Sequence, residues 1–261
     1  MLEKTFLHVP GLGAHTEKSL WQQGCVSWSN FLASPEQWSV GGASKGTVES
    51  VLRRSEAALA AREHQFFSKS LGTREAWRAW RDFRKGCLYL DIETDGGTDA
   101  SSITCVGLYD GVAFRCLIKD QDLHLFPDIV SHYNLIVTFF GTGFDIPMLK
   151  RAFPNFHCDH LHFDLCHGFK RLGVRGGLKK IEKQMGIERS TETDGLDGRD
   201  AITLWRLYQQ GNEKALDTLI QYNQEDVVNM ERLAAIAYDR LCQQTLSEAG
   251  VAHLFEPINS P

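Results

Sequence analysis

The chain has 261 residues, 43% of them hydrophobic and 23% charged, with a formal net charge of -5. These are the proportions of an ordinary globular protein, long enough for one domain and a substantial extension. They argue against a membrane span, since no run approaches the roughly 18 apolar residues that one needs. They also argue against binding nucleic acid by bulk positive charge alone. The seven cysteines (Cys25, Cys87, Cys105, Cys116, Cys158, Cys166 and Cys242) are odd in number and scattered, which reads as free thiols in a reducing compartment. No long apolar stretch follows the start MLEKTFLHVPG, so a cytoplasmic protein without a membrane partner is expected.

Residues 1–84 read as a helical extension. Glu17–Gln23 and Val26–Phe31 suggest short helical turns, and VGGASKG (40–46) is a loop by composition. Ser50–Phe67 reads as one helix, and Arg74–Arg84 as another, with Trp77, Trp80 and Phe83 spaced by three on one aromatic face. The plain account is a helical packing layer; the alternative is a substrate-guiding arm. Near Lys85 the period changes. Strands are expected at 87–92, 102–109, 113–119, 135–140 and 160–165, with helices at 122–131 and 146–153, the latter ended by Pro154. From Gly177 the pattern is helical: 178–185, 201–209, 213–222 and 224–241. Three meander-like strands, a crossover, two further strands and a helical end make an α/β domain over 85–245 with a mixed sheet, followed by a tail at 246–261.

Four acids in three separated segments carry the chemistry. Asp91 and Glu93 in CLYLDIETDGG end the first strand, and their spacing of two puts both on one face while Ile92 points into the core. Two carboxylates side by side repel, and divalent cations with a taste for oxygen relieve that cost. Asp145 follows an apolar strand and a glycine-rich turn in FFGTGFDIPML; it is either a helix-capping acid or a member of the same site, because acids at neighbouring strand ends converge. Tyr222 and Asp226 in LIQYNQEDVVNM lie four apart and share a helix face.

The strings YLDIETDG, TGFDIPML and YNQEDV resemble the three motifs of the DEDDy branch of 3′–5′ exonucleases, in the ribonuclease H-like superfamily. GGLKKIEKQMGIER and GLDGRDAITLWRLYQQGN resemble the small bacterial ribonuclease H-like domain proteins. The likeness covers about residues 84–245, with FLHVPGLGAHTEKSLWQQGCVSW as a family-specific extension. It implies a five-stranded mixed sheet flanked by helices, and a cage for two ions, Mg²⁺ or Mn²⁺. Asp91 would bridge both ions, Glu93 and Asp226 would complete one shell, and Asp145 would serve the other. Tyr222 would orient the attacking water. Such proteins often carry Asn in a string like YNGxxFD, where this chain has Phe140, which cannot donate the same hydrogen bond.

Phosphate contacts are expected from Lys170, Arg171, Arg175, Lys179 and Lys180 around Gly173 and Gly176–Gly177, although a solvated helix face explains the same run. The acidic loop TETDGLDGRD either gates the cleft or is plain surface. His157, Cys158, His160, His162, Cys166 and His167 match no usual structural zinc spacing, and Gly11–Leu12–Gly13 lacks the context of a phosphate loop. The function expected is a metal-dependent 3′–5′ exonuclease acting on single-stranded DNA or RNA. A structure-specific endonuclease and an inactive nucleic-acid-binding or scaffold protein are the alternatives.

Overall fold

The computed structural model describes residues 1–255; residues 256–261 of the expected tail lie outside the described residues. The N-terminal region is helical, with α1 (Ala14–Gln22), α2 (Trp28–Ala33), α3 (Lys45–Ala60), α4 (His64–Ser70) and α5 (Trp80–Phe83). The single helix expected over 50–67 is two, separated by a turn where Arg62 takes a left-handed φ of 57°. A 3₁₀ turn over Thr73–Ala79 precedes α5. The spacing of three between Trp77 and Trp80 suits that tighter winding, which repeats every three residues.

The sheet contains β1 (Cys87–Thr94), β2 (Ile103–Tyr109), β3 (Phe114–Ile118), β4 (Leu135–Thr138) and β5 (Leu161–Asp164), in the order β3-β2-β1-β4-β5. β1, β2 and β3 pair antiparallel, whereas β4 and β5 run parallel to β1. The five-stranded mixed sheet is therefore as expected. β4 stops at Thr138, short of the expected 140, because Phe140 turns the chain with φ 66°. The remaining helices are α6 (Phe126–Val130), α7 (Asp145–Ala152), α8 (Leu165–Arg171), α9 (Leu178–Gln184), α10 (Gly198–Gln209) and α11 (Glu213–Ala249). The two helices expected over 213–241 are one, because no Gly or Pro interrupts 213–249. α11 ends at Gly250, whose φ of 73° supplies the left-handed cap.

Alternation along β1 sorts the core. Leu88, Leu90 and Ile92 join Ile136, Phe126, Ile146 and Leu149 on the face covered by α6 and α7. Cys87 and Tyr89 face the other way, with Val137 and Phe163, toward Val227, Met230 and Leu233 of α11. That same cluster takes in Phe6, Trp21, Trp28, Phe67 and Trp80, so the N-terminal helices share the core of this sheet face. Among the described residues no helix is long and apolar enough to cross a membrane.

Candidate active site

The face of β1 that begins with Cys87 and Tyr89 ends with Asp91 and Glu93. Pairing with β4 covers only Cys87–Tyr89, so both acids extend past the neighbouring parallel strand. The register with β2 shifts between Glu93 and Thr94, closing the strand just after the second acid. α11 crosses this face and brings in Asp226. One oxygen each from Asp91, Glu93 and Asp226 lie within 4.8 Å of one another. Asp145 stands outside that trio at the first turn of α7, buried at 3% exposure. One of its oxygens accepts from the Ile92 N–H at 3.1 Å, which anchors it between the two acids of β1. Tyr222, one turn before Asp226 on α11, is also buried.

Burial and mutual repulsion govern the protonation of this group. Asp91 and Glu93 are held well above the usual carboxylate range, first by burial, then by the charges of Asp226 and Asp145. Burial pushes the Asp145 carboxyl up to about 7, against hydrogen bonds from its own backbone N–H and that of Ile92. It pushes Asp226 up to about 6, with Arg189 opposing. The Tyr222 phenol is pushed up by burial and by Asp226, Glu93 and Asp91. These acids gather at a cost that protons or cations must offset, and a close set of hard oxygen donors fits Mg²⁺ or Mn²⁺.

Three groups around the acids were not legible as site residues. Asn223 is fully buried and donates its amide to Asp91 Oδ2 at 3.0 Å; its place three residues before Asp226 was the available signal. Arg189 is clamped by Glu182 at 2.7 and 2.8 Å and reaches Asp226 with its Nη2. Glu182 is 1% exposed and also accepts from Asn229 at 3.1 Å. This fixed guanidinium sits on a carboxylate of the trio, and nothing in the spacing of residues 182, 189 and 226 suggests it.

The five expected phosphate-binding residues do not form one patch. Lys179 lies with its Nζ 4.1 Å from the centre of the Tyr222 ring, buried and without a hydrogen-bond partner. Burial lowers its pKa, opposed by Asp226. Lys170, Arg171 and Arg175 instead line a separate cavity beside β5. Lys180 is exposed, with its aliphatic stem against Gly176. The histidines and cysteines of 157–167 disperse into local roles: His162 Nε2 meets Thr138 Oγ1 at 2.8 Å, and His160 Nε2 meets the Val130 carbonyl at 3.0 Å. All seven cysteines are free thiols.

Phe140 sits in the turn between β4 and α7. Asp164, at the end of β5, shapes that turn by accepting from the N–H groups of Phe140, Thr142 and Cys166 at 3.0, 2.9 and 3.0 Å. The Phe140 ring packs against Gly143 yet is 51% exposed, and Phe144 beside it is 37% exposed.

A mixed five-stranded sheet with paired acids on its central strand, and a third brought by a long helix, defines an RNase H-like fold. The chain belongs to the RNase H superfamily, whose family model RNase_H_2 matches residues 88–238. Membership points to a hydrolase of nucleic acids, and RNase H-like nucleases use divalent metals. Among solved structures the chain is similar to the family B DNA polymerase from the hyperthermophilic archaeon Pyrobaculum calidifontis. The two share 15% identity with a TM-score of 0.47, over 64% of this chain and 27% of the polymerase chain. The chain thus spans about a quarter of that polymerase's length. No curated protein matches it.

Proposed function

We propose that this chain is a metal-dependent 3′–5′ exonuclease of the DEDDy type, hydrolysing phosphodiester bonds of single-stranded DNA or RNA with two Mg²⁺ or Mn²⁺ ions. The observation that carries this reading is the convergence of Asp91, Glu93 and Asp226 within 4.8 Å from two separate elements, with Asp145 anchored between the first two. Cations held by these oxygens would lower the pKa of a water and neutralise charge on the phosphate during an in-line displacement. Asn223 fixes the Asp91 carboxylate and Arg189 fixes that of Asp226, so neither has to reorganise when substrate enters. Tyr222, its phenol held protonated by burial among carboxylates, orients a water as a hydrogen-bond donor and does not remove its proton. A phosphate oxygen entering the cluster would supply the partner that the Lys179 ammonium lacks. The exposed rings of Phe140 and Phe144 offer stacking surfaces for unpaired bases, which supports a single-stranded substrate.

The test is digestion of single-stranded DNA and RNA, labelled at the 5′ end, with Mn²⁺. A ladder shortening by one nucleotide at a time is expected, and Asp91→Ala or Asp226→Ala should each abolish it with the far-UV circular dichroism unchanged. Internal fragments without a ladder would point to endonucleolytic cutting. Full activity in either variant overturns the site, and oligonucleotide binding without any cleavage gives a binding protein instead.

A further inference from the structure

The cavity beside β5, of about 610 Å³, does not contain the carboxylate trio. It lies between the 3₁₀ turn over Thr73–Ala79 and the β5–α8 junction, so the N-terminal region and the nuclease fold each build one wall. Its charged lining consists of four cations, Arg74, Lys170, Arg171 and Arg175, against two carboxylates, Glu75 and Asp164. Both carboxylates are already engaged. Glu75 accepts from Arg171 at 2.9 Å with one oxygen and from Arg78 at 2.7 Å with the other. Asp164 accepts three backbone N–H groups. No carboxylate among the described residues lies within ion-pair distance of Arg74, Lys170 or Arg175. In a chain of net charge -5, three uncompensated cations around one hollow make a local anion site.

The floor is aromatic and aliphatic. Trp77 lines the cavity at 3% exposure, and its indole N–H is buried without an acceptor. Arg171 stands over that ring, 5.7 Å from its centre. A cationic rim around a buried indole N–H that lacks an acceptor suits a phosphate-bearing ligand. The wall is held in place, because Arg78 also pairs with the buried Glu17 at 3.1 Å, and Glu17 accepts from Thr5 and the Phe6 N–H. This wall is no loose arm. β5 lies two strands from β1, roughly 10 Å across the sheet, so a ligand that fills both places must be longer than the scissile nucleotide.

We propose that this cavity is a second nucleic-acid subsite, taking a phosphate of the strand upstream of the cut, with Arg74 of the N-terminal region as a phosphate contact. The proposal rests on nucleic acid being the ligand of the site described above, but not on its turnover. It is tested by fluorescence anisotropy in Ca²⁺, without cleavage, on a single-stranded dodecamer and a dinucleotide. The exposed Arg74 is changed in Arg74→Glu, and Arg175→Glu serves as a second variant. Each should weaken dodecamer binding about tenfold and make the salt dependence shallower by about 0.7 per lost phosphate contact. The dodecamer should bind more tightly than the dinucleotide in wild type, and that advantage should shrink in both variants. Unchanged dodecamer affinity and salt slope in both variants overturn the subsite. If AMP measured by calorimetry loses affinity in Arg74→Glu while the dodecamer does not, the cavity serves a free nucleotide and the strand assignment fails. If wild type binds no dodecamer at all, the nucleic-acid reading itself fails and the subsite with it.

Discussion

Phe140 holds a φ of 66°, a left-handed conformation that costs a residue with a Cβ on the order of 1 kcal/mol and that Asn tolerates far better. The ring gains little in return, being 51% exposed against Gly143. Its N–H, however, is committed to Asp164, and any residue except proline would preserve that bond. Phe140→Asn should therefore raise stability by about 1 kcal/mol, or roughly 2–4 °C in Tm for a chain of this size, as read by differential scanning calorimetry. The same change removes a stacking surface, so single-strand affinity should fall by about tenfold. A lower Tm in Phe140→Asn would mean that the packing on Gly143 outweighs the backbone strain. The sequence marked position 140 as a departure, and the structure supplies the backbone reason why Asn suits it.

β1 and α11 meet through a contact that neither element discloses alone. Gly107 of β2 pairs in register with Asp91, and Asn223 of α11 reaches Asp91 across it. A Cβ on Gly107 would lie 1.8 Å from Asn223 Oδ1, far inside contact distance, so the glycine sets how closely the helix approaches the strand. Gly107→Ala should cost about 1–3 kcal/mol in urea unfolding, as overpacking of a close interface does. It should also weaken Mn²⁺ binding measured by calorimetry, because the Asn223 amide is driven off the Asp91 carboxylate. Adding Asn223→Ala to that variant should recover part of the stability and none of the Mn²⁺ affinity. Stability unchanged in Gly107→Ala would show that the helix approach is set elsewhere. The strands and both β1 acids were readable because alternation is a local property of the chain. The Gly107–Asn223 contact joins residues more than a hundred apart, and Gly107 inside a strand gave no sign of what it must accommodate.

Across the whole molecule, the acids were legible one by one, while their meeting depends on the sheet order β3-β2-β1-β4-β5, which periodicity along the chain does not disclose. The basic run 170–180 read as one patch because sequence adjacency hides that α8 and the segment after it carry Lys170, Arg171 and Arg175 to the cavity beside the N-terminal region, while Lys179 faces Tyr222. Crowding the acids leaves a pH signature. Asp226 and Asp145 have folded pKa values near 6 and 7, above their unfolded values, so between about pH 4 and 7 the folded chain holds protons that the unfolded chain has released. Their contribution to stability is full at low pH and is lost as pH rises through those values. His8 and His162, lowered by burial to about 4, act in the opposite sense, gaining as pH rises toward 6.5. The metal-free protein should then show a shallow net dependence over this range. The difference made by a divalent cation isolates the acids, because cation and protons compete for the same oxygens. Mn²⁺ should shift Tm little at pH 5 and by several degrees at pH 7.5, with about 2.7 kcal/mol gained at a hundredfold excess over Kd. Melting curves in Mn²⁺ and in chelator from pH 5 to 8 would read this directly. Asp226→Asn should flatten the difference, since it removes one of the competing oxygens and its charge. An equal Mn²⁺ shift at every pH would place the ion away from these carboxylates, and no shift at any pH would remove the cation from the site altogether.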